Sequence, residues 1–180
     1  MEKVRISKLM SERGMCSRRE ADAYIERGWV KVDGKVATLG TKAFPNQSIT
    51  LEKAALARQA QQVTIILNKP VGYVSSQAED GHKPALNLIT PQNQFDKAHH
   101  KFEPGHLRGL ATAGRLDIES QGLLVMTQDG RIAKQLIGED SEVEKEYLVR
   151  VEGRMPSNGL QLLNHGLSLD GDLLRPAEVS

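Results

Sequence analysis

Residues 5–36 read RISKLMSERGMCSRREADAYIERGWVKVDGKV, and this stretch decides how the first part of the chain folds. Ile6, Leu9, Met10 and Arg13 recur at helical spacing, and Gly14 supplies a stop. Ser17-Arg18-Arg19-Glu20 then has the form of a capping box. The serine offers an oxygen to the free N–H groups of a new helix, and the glutamate three residues on reaches back to the serine N–H. Ala21, Tyr24 and Ile25 make the inward stripe of that second helix, which Gly28 ends. From Trp29 to Ala37 two short alternating runs hinge on Asp33-Gly34, a strong hairpin signal. A turn at Pro45-Asn46 leads into a further strand at Ile49-Thr50-Leu51. Two helices, a hairpin and a strand therefore fill residues 1–53 as one small domain.

The charge of this segment is informative. Residues 1–60 hold 12 Lys/Arg against 7 Asp/Glu, while residues 61–180 hold 12 against 16, within a net charge of only +1. Such an asymmetry suits a first segment that meets a polyanion. Arg18 and Arg19 fall in the first turn of a helix, where the backbone dipole already places partial positive charge. Two cations beside unpaired N–H groups make a site for an anion, and RNA phosphate is the natural candidate. The alternative use of these arginines is pairing with Asp22 and Glu26 at helical spacing. Ser17 at the cap, with Arg5, Lys8, Arg27, Lys31 and Lys35, extends the candidate RNA-binding patch. Only Tyr24 and Trp29 could stack on bases here, which favours gripping a folded backbone over reading single strands. The quoted stretch, with S-R-R-E-A followed by G-x-V-x-V-D-G, resembles the S4 RNA-binding domain over nearly its whole length. That resemblance implies that the helical face carrying the arginines contacts folded RNA. Cys16, just before the cap, reads as a small buried packing residue.

Residues 54–62 (AALARQAQQ) show no inward face and read as a linker or a short exposed helix. Val63 to Leu67 is an apolar run expected as a buried strand, broken by Asn68-Lys69-Pro70-Val71-Gly72 and resumed at Tyr73-Val74-Ser75-Ser76. Residues 90–113 read as an irregular insertion carrying Lys97, His99, His100, Lys101, His106 and Arg108, either a further RNA contact or a surface loop. His99-His100 lacks the cysteines or paired carboxylate that a metal site needs, so no metal is expected. Gly122 to Thr127 is another strand, 131–138 a helix, Glu146 to Val151 a half-buried strand, and Leu160 to Leu167 a helix before a turn at Asp170-Gly171.

The centre of this second region is Gly114-Arg115-Leu116-Asp117, which by itself reads first as an ordinary Arg–Asp pair in a loop. Its surroundings alter that weighting. Asn68-Lys69-Pro70-Val71-Gly72, then G-R-L-D-x-x-S-x-G-L-L-x-x-T, then Lys145-Glu146-Tyr147 resemble, in order and spacing, the RsuA-type pseudouridine synthases. Ser120-Gln121-Gly122 and Lys145 to Val149 are most similar to the branch of 23S rRNA pseudouridine synthase F. The resemblance implies isomerisation of a uridine, flipped out of structured RNA, with Asp117 as the catalytic carboxylate. It further implies that Arg115 supports the flipped nucleotide, that Tyr147 lies against the uracil, and that Lys69 touches phosphate or caps a turn. Glu119 is a second acid in the motif and is expected to face solvent. No cofactor is expected, because the exchange of one glycosidic bond for another involves no redox change.

The fold class implied is α+β: an S4 domain at 1–53, a linker at 54–62, and a mixed, mostly antiparallel synthase sheet at 63–180. The family continues into a basic element, G-x-x-R-Q-[IV]-[RK]-R-M, which these residues do not include. Weak or absent activity is the expectation for the 180 residues taken alone. No apolar run approaches the roughly 20 residues of a membrane span, and no apolar stretch follows the first charges as a signal peptide would require. One cysteine permits no internal disulfide. These features suit a cytoplasmic monomer whose partner is structured RNA, 23S rRNA first and tRNA second. A non-catalytic S4-type binder, such as a ribosome-assembly factor, is the alternative, for which the G-R-L-D segment has no evident use.

Overall fold

The computed structural model describes residues 2–78, 81–95, 101–174 and 177–180. In chain order the elements are β1 (Val4–Arg5), α1 (Ile6–Glu12), α2 (Arg18–Glu26), β2 (Val30–Val32), β3 (Lys35–Val36), β4 (Lys42–Ala43), β5 (Ile49–Leu51) and α3 (Lys53–Ala60). Then follow β6 (Thr64–Lys69), β7 (Tyr73–Val74), β8 (Lys83–Pro84), β9 (Ala111–Thr112), β10 (Gly122–Thr127) and α4 (Gly130–Ile137). The last are α5 (Gly159–His165), β11 (Ser168–Leu169) and β12 (Asp172–Leu173). The architecture is α+β, with pairing antiparallel everywhere among these strands except between β7 and β8. The chain divides into two compact units, Met1–Val143 and Glu144–Ser180. No described helix is long and apolar enough to cross a membrane.

The capping box forms as its residue types dictate. Ser17 Oγ accepts from the Glu20 N–H at 3.3 Å, and Glu20 Oε2 accepts from the Ser17 N–H at 2.8 Å. Helices α1 and α2 then close with β2 and β5 over a core of Ile6, Leu9, Met10, Tyr24, Ile25 and Val30, with Cys16 inside it. Burial, with the Glu20 carboxylate as a smaller contributor, pushes the Cys16 thiol up to about 12. At pH 8 the native protein is therefore expected to resist thiol alkylation, and to label only once unfolded, as mass spectrometry would show. The Asp33-Gly34 hairpin has φ of 47° and 80°, both left-handed, which only such a pair supplies at low cost.

The expected linker is ordered. Residues 53–60 form α3, which buries Ala55 and Gln59 against the first core, and Gln59 Nε2 donates to the Met15 carbonyl at 2.7 Å. Its inward face is too small and too polar to register as an apolar stripe. A second core follows, built from Ala85, Leu110, Leu124 and Met126, with Ile65, Leu67 and Leu116 packed on it. It lies on one face of a sheet ordered β6-β10-β9. Strand β6 is thus half-buried and not the fully buried strand expected: Ile66 is 72% exposed and Leu123, on β10, 66%. Nothing described covers that second face.

The start of α4 lies against the capping box. A Cβ at Gly130 would collide with the Ser17 side chain, so glycine is what lets α4 approach the capping box. Gln62 Nε2 bridges this junction, donating to Glu20 Oε1 at 2.6 Å and to the Gln128 carbonyl at 2.9 Å. Asp129 caps α4 and receives the Arg131 guanidinium as a fork at 2.7–3.1 Å. Those bonds hold the Asp129 carboxyl below the usual carboxylate range. A lowered native value means stabilisation that is present above about pH 4 and lost as pH falls through the native value. Asp129→Asn is expected to flatten that acid limb in urea unfolding followed from pH 6 to pH 2.

One expected strand is absent. Residues 146–151 alternate as expected but make no ladder; their side chains are exposed and the backbone is irregular. A strand exists only beside a hydrogen-bonded neighbour, and no described element pairs with these residues. In the same unit α5 forms, and Asp170-Gly171 makes the tight turn between β11 and β12.

Candidate active site

The period of two along extended chain explains both sides of this site. On β6, Ile65 and Leu67 face the core, so Lys69 must as well. Lys69 is fully buried, and its Nζ donates to the carbonyls of Pro70 at 3.0 Å and Tyr73 at 2.9 Å. Burial lowers its pKa, opposed by the negative charge of Asp117. Of the two uses foreseen for Lys69, these bonds are those of a turn cap.

Across from it, Arg115 and Asp117 are exposed while Leu116 between them turns inward onto the second core. Asp117 is thus neither buried nor facing away. It lines a cleft of about 540 Å³ with Arg115, Glu119, Ser75, Ser76 and His82. The described ion pairs include none between Arg115 and Asp117, so the simple loop pair is not what this segment makes. Two ties hold the aspartate's neighbours. Ser75 Oγ accepts from the Leu116 N–H at 2.8 Å and donates to the Leu116 carbonyl at 2.5 Å, and the Gly72 N–H donates to the Ile118 carbonyl at 2.8 Å. Gly114, at φ 101° with Ile137 close by, supplies the bend that starts the segment. The arrangement offers an exposed carboxylate on a tied backbone and a cation in the wall of one cleft.

A cationic surface lies on the first core. Arg5, Lys8 and Arg18, all expected, line a cleft of about 460 Å³ together with Lys3 and Lys42, five cations against the two acids Glu2 and Asp22. Arg5 and Lys42 stand directly opposite each other on β1 and β4. Like charges in cross-strand register repel, so this pairing favours a bound anion between them. Lys42 was missed in the sequence because the register that joins it to Arg5 is long-range; Lys3, two residues before Arg5, was not singled out. Neither Arg18 nor Arg19 joins a described ion pair, so the proposed pairing with Asp22 and Glu26 does not form. The remaining candidates are dispersed. Lys31 pairs with Glu52 at 2.6 Å and Arg27 lies 5.2 Å from the Trp29 ring centroid, while Lys8, in the cleft, also pairs with Glu12 at 3.5 Å. Lys35 is exposed on β3, and Ser17 uses its oxygen in the helix cap.

An RNA pseudouridylate synthase family model matches residues 63–171, which contain the whole Asp117 cleft, and an S4 domain model matches residues 4–47. The chain belongs to the RNA pseudouridine synthase family. Among curated synthases it is 34% identical over 178 residues to the dual-specificity RNA pseudouridine synthase RluF of Escherichia coli, covering 98% of this chain and 56% of that protein. An uncharacterised RNA pseudouridine synthase of Aquifex aeolicus is 32% identical, with 99% of this chain and 68% of the relative covered. The chain thus spans little more than half the length of RluF. A crystal structure of a pseudouridylate synthase shares the synthase fold at a TM-score of 0.55 and 23% identity, over 97% of this chain and 71% of the other. Tyr147, the third expected synthase residue, lies in the second unit, 58% exposed on the irregular segment.

The segment before Gly114 is only partly described. Lys97, His99 and His100 lie outside the described residues. Of the rest, Gln128 Nε2 donates to the carbonyls of Gly105, His106 and Arg108 at 2.9–3.2 Å, tying this loop to the end of β10. Lys101 and Arg108 are exposed.

Proposed function

We propose that this chain isomerises a uridine to pseudouridine in structured RNA, with Asp117 as the catalytic carboxylate. The observation that carries the reading is the exposed Asp117, on a backbone tied through both neighbours, at the wall of a cleft beside Arg115. The N1–C1′ bond of the target breaks, the uracil turns, and a C5–C1′ bond forms. N1 gains a proton and C5 loses one, so the reaction balances without an oxidant or a cofactor. A carboxylate can share this exchange between two easier steps by holding a covalent intermediate. The target must first leave its stack, at a cost of a few kcal/mol, and Arg115 is placed to hold the flipped nucleotide.

In this reading the S4 module, residues 1–53, grips the fold around the target through Arg5, Lys8, Arg18 and Arg19. Lys3 and Lys42 belong to the same grip. Tyr147 is the aromatic side chain proposed to meet the uracil. The substrate is 23S rRNA first and tRNA second, in the cytoplasm; the dual specificity in RluF's name supports testing both. A binding-only protein leaves the Asp117 cleft without a purpose. The test is tritium release by the intact gene product from [5-³H]uridine-labelled total RNA of a strain lacking the gene. Tritium should appear in step with new pseudouridine. If none is released from rRNA or tRNA, the reading is wrong.

A further inference from the structure

Ser75 is 5% exposed, and its hydroxyl serves both polar groups of a single residue, Leu116. A hydroxyl has one proton to give and lone pairs to accept with, so one side chain here imitates the pairing of a neighbouring strand. The two bonds fix the peptide planes on either side of Leu116, and the second of those planes contains the Asp117 nitrogen. Beyond the aspartate, the Gly72 N–H holds the Ile118 carbonyl, and the Ser120 N–H donates to the Asp117 carbonyl itself at 3.1 Å. The chain is therefore pinned before and after Asp117, and only the tie before it depends on a side chain.

We propose that Ser75 is a positioning residue for Asp117, setting through Leu116 where the carboxylate enters the cleft. This rests on the reading of Asp117 as the catalytic group. A group misplaced by about 1 Å from the chemistry can lose about a hundredfold in rate, so the clamp matters even though it touches no substrate. Alanine would leave the Leu116 N–H and carbonyl without their side-chain partner. Cysteine fills nearly the same space but is a weak donor and acceptor, whereas threonine keeps the hydroxyl.

The experiment compares the intact gene product with its Ser75→Ala, Ser75→Cys and Ser75→Thr variants. Single-turnover tritium release, RNA affinity by filter binding and deuterium exchange at the Leu116 amide are read on each. Ser75→Ala and Ser75→Cys should slow turnover about tenfold or more, with RNA affinity within about twofold and faster Leu116 exchange. Ser75→Thr should recover part of the lost rate. If Ser75→Ala does not fold, Ser75→Cys decides, because a packing role alone would leave that variant at the wild-type rate. Wild-type turnover in Ser75→Cys, or a rate loss matched by an equal loss of RNA affinity, overturns the proposal. An unmodified protein that releases no tritium overturns the uridine reading itself, and the positioning role with it.

Discussion

Replacing Asp117 with asparagine should lower uridine isomerisation about a thousandfold or more, equivalent to about 4 kcal/mol of lost transition-state stabilisation. Asparagine has almost the same shape, and the side chain is exposed, so the fold loses little. What disappears is the negative charge and the nucleophilic oxygen at the cleft wall. The backbone ties through Ser75 and Gly72 remain, so the amide sits where the carboxylate did. RNA affinity should change by less than about twofold, since the grip is made by cations on the first core. The same substitution removes the charge that opposes the lowering of the buried Lys69 pKa, which should therefore fall further, as side-chain NMR would record. Single-turnover rates and filter binding on one RNA preparation separate the effect on chemistry from the effect on affinity.

The second large effect concerns the grip. Arg18→Ala with Arg19→Ala should weaken RNA binding about tenfold or more at moderate salt without altering the fold. Both side chains are exposed and neither joins a described ion pair, so their removal leaves no buried partner behind. Each phosphate contact releases condensed counterions, so losing two should reduce the slope of log affinity against log salt by about 1.8 for a duplex-like target. A salt titration by filter binding measures affinity and slope together. An unchanged slope would take these arginines out of the interface. Arg18 should carry more of the loss than Arg19, because it lines the cleft with Arg5 and Lys42.

Much of the first unit was legible because its signals are local. A capping box, a glycine stop and an Asp-Gly hinge each act within four residues, and each forms where its residues stand. The G-R-L-D segment was legible only through its resemblance to a family motif, since by itself it read as an Arg–Asp loop pair; the structure adds that Arg115 and Asp117 are exposed with Leu116 inward. What escaped the sequence was long-range. The burial of Lys69 was implicit in its phase with Ile65 and Leu67, but the proline and glycine after it made it read as loop. Ser75 looked like one more extended residue, because its partner is 41 positions away. The helix at 53–60, one of the two readings of that stretch, differs in packing inward through one alanine and one glutamine. The strand expected at 146–151 had the right alternation, but alternation cannot supply the neighbour that makes a strand.

The most direct measurement is made in cells lacking the gene and carrying either the intact coding sequence or its Asp117→Ala form at equal protein levels. Carbodiimide treatment followed by primer extension across rRNA and tRNA reports every pseudouridine. The account predicts at least one stop that returns with the intact sequence and stays absent with Asp117→Ala. The same stop at equal strength in both strains would contradict it.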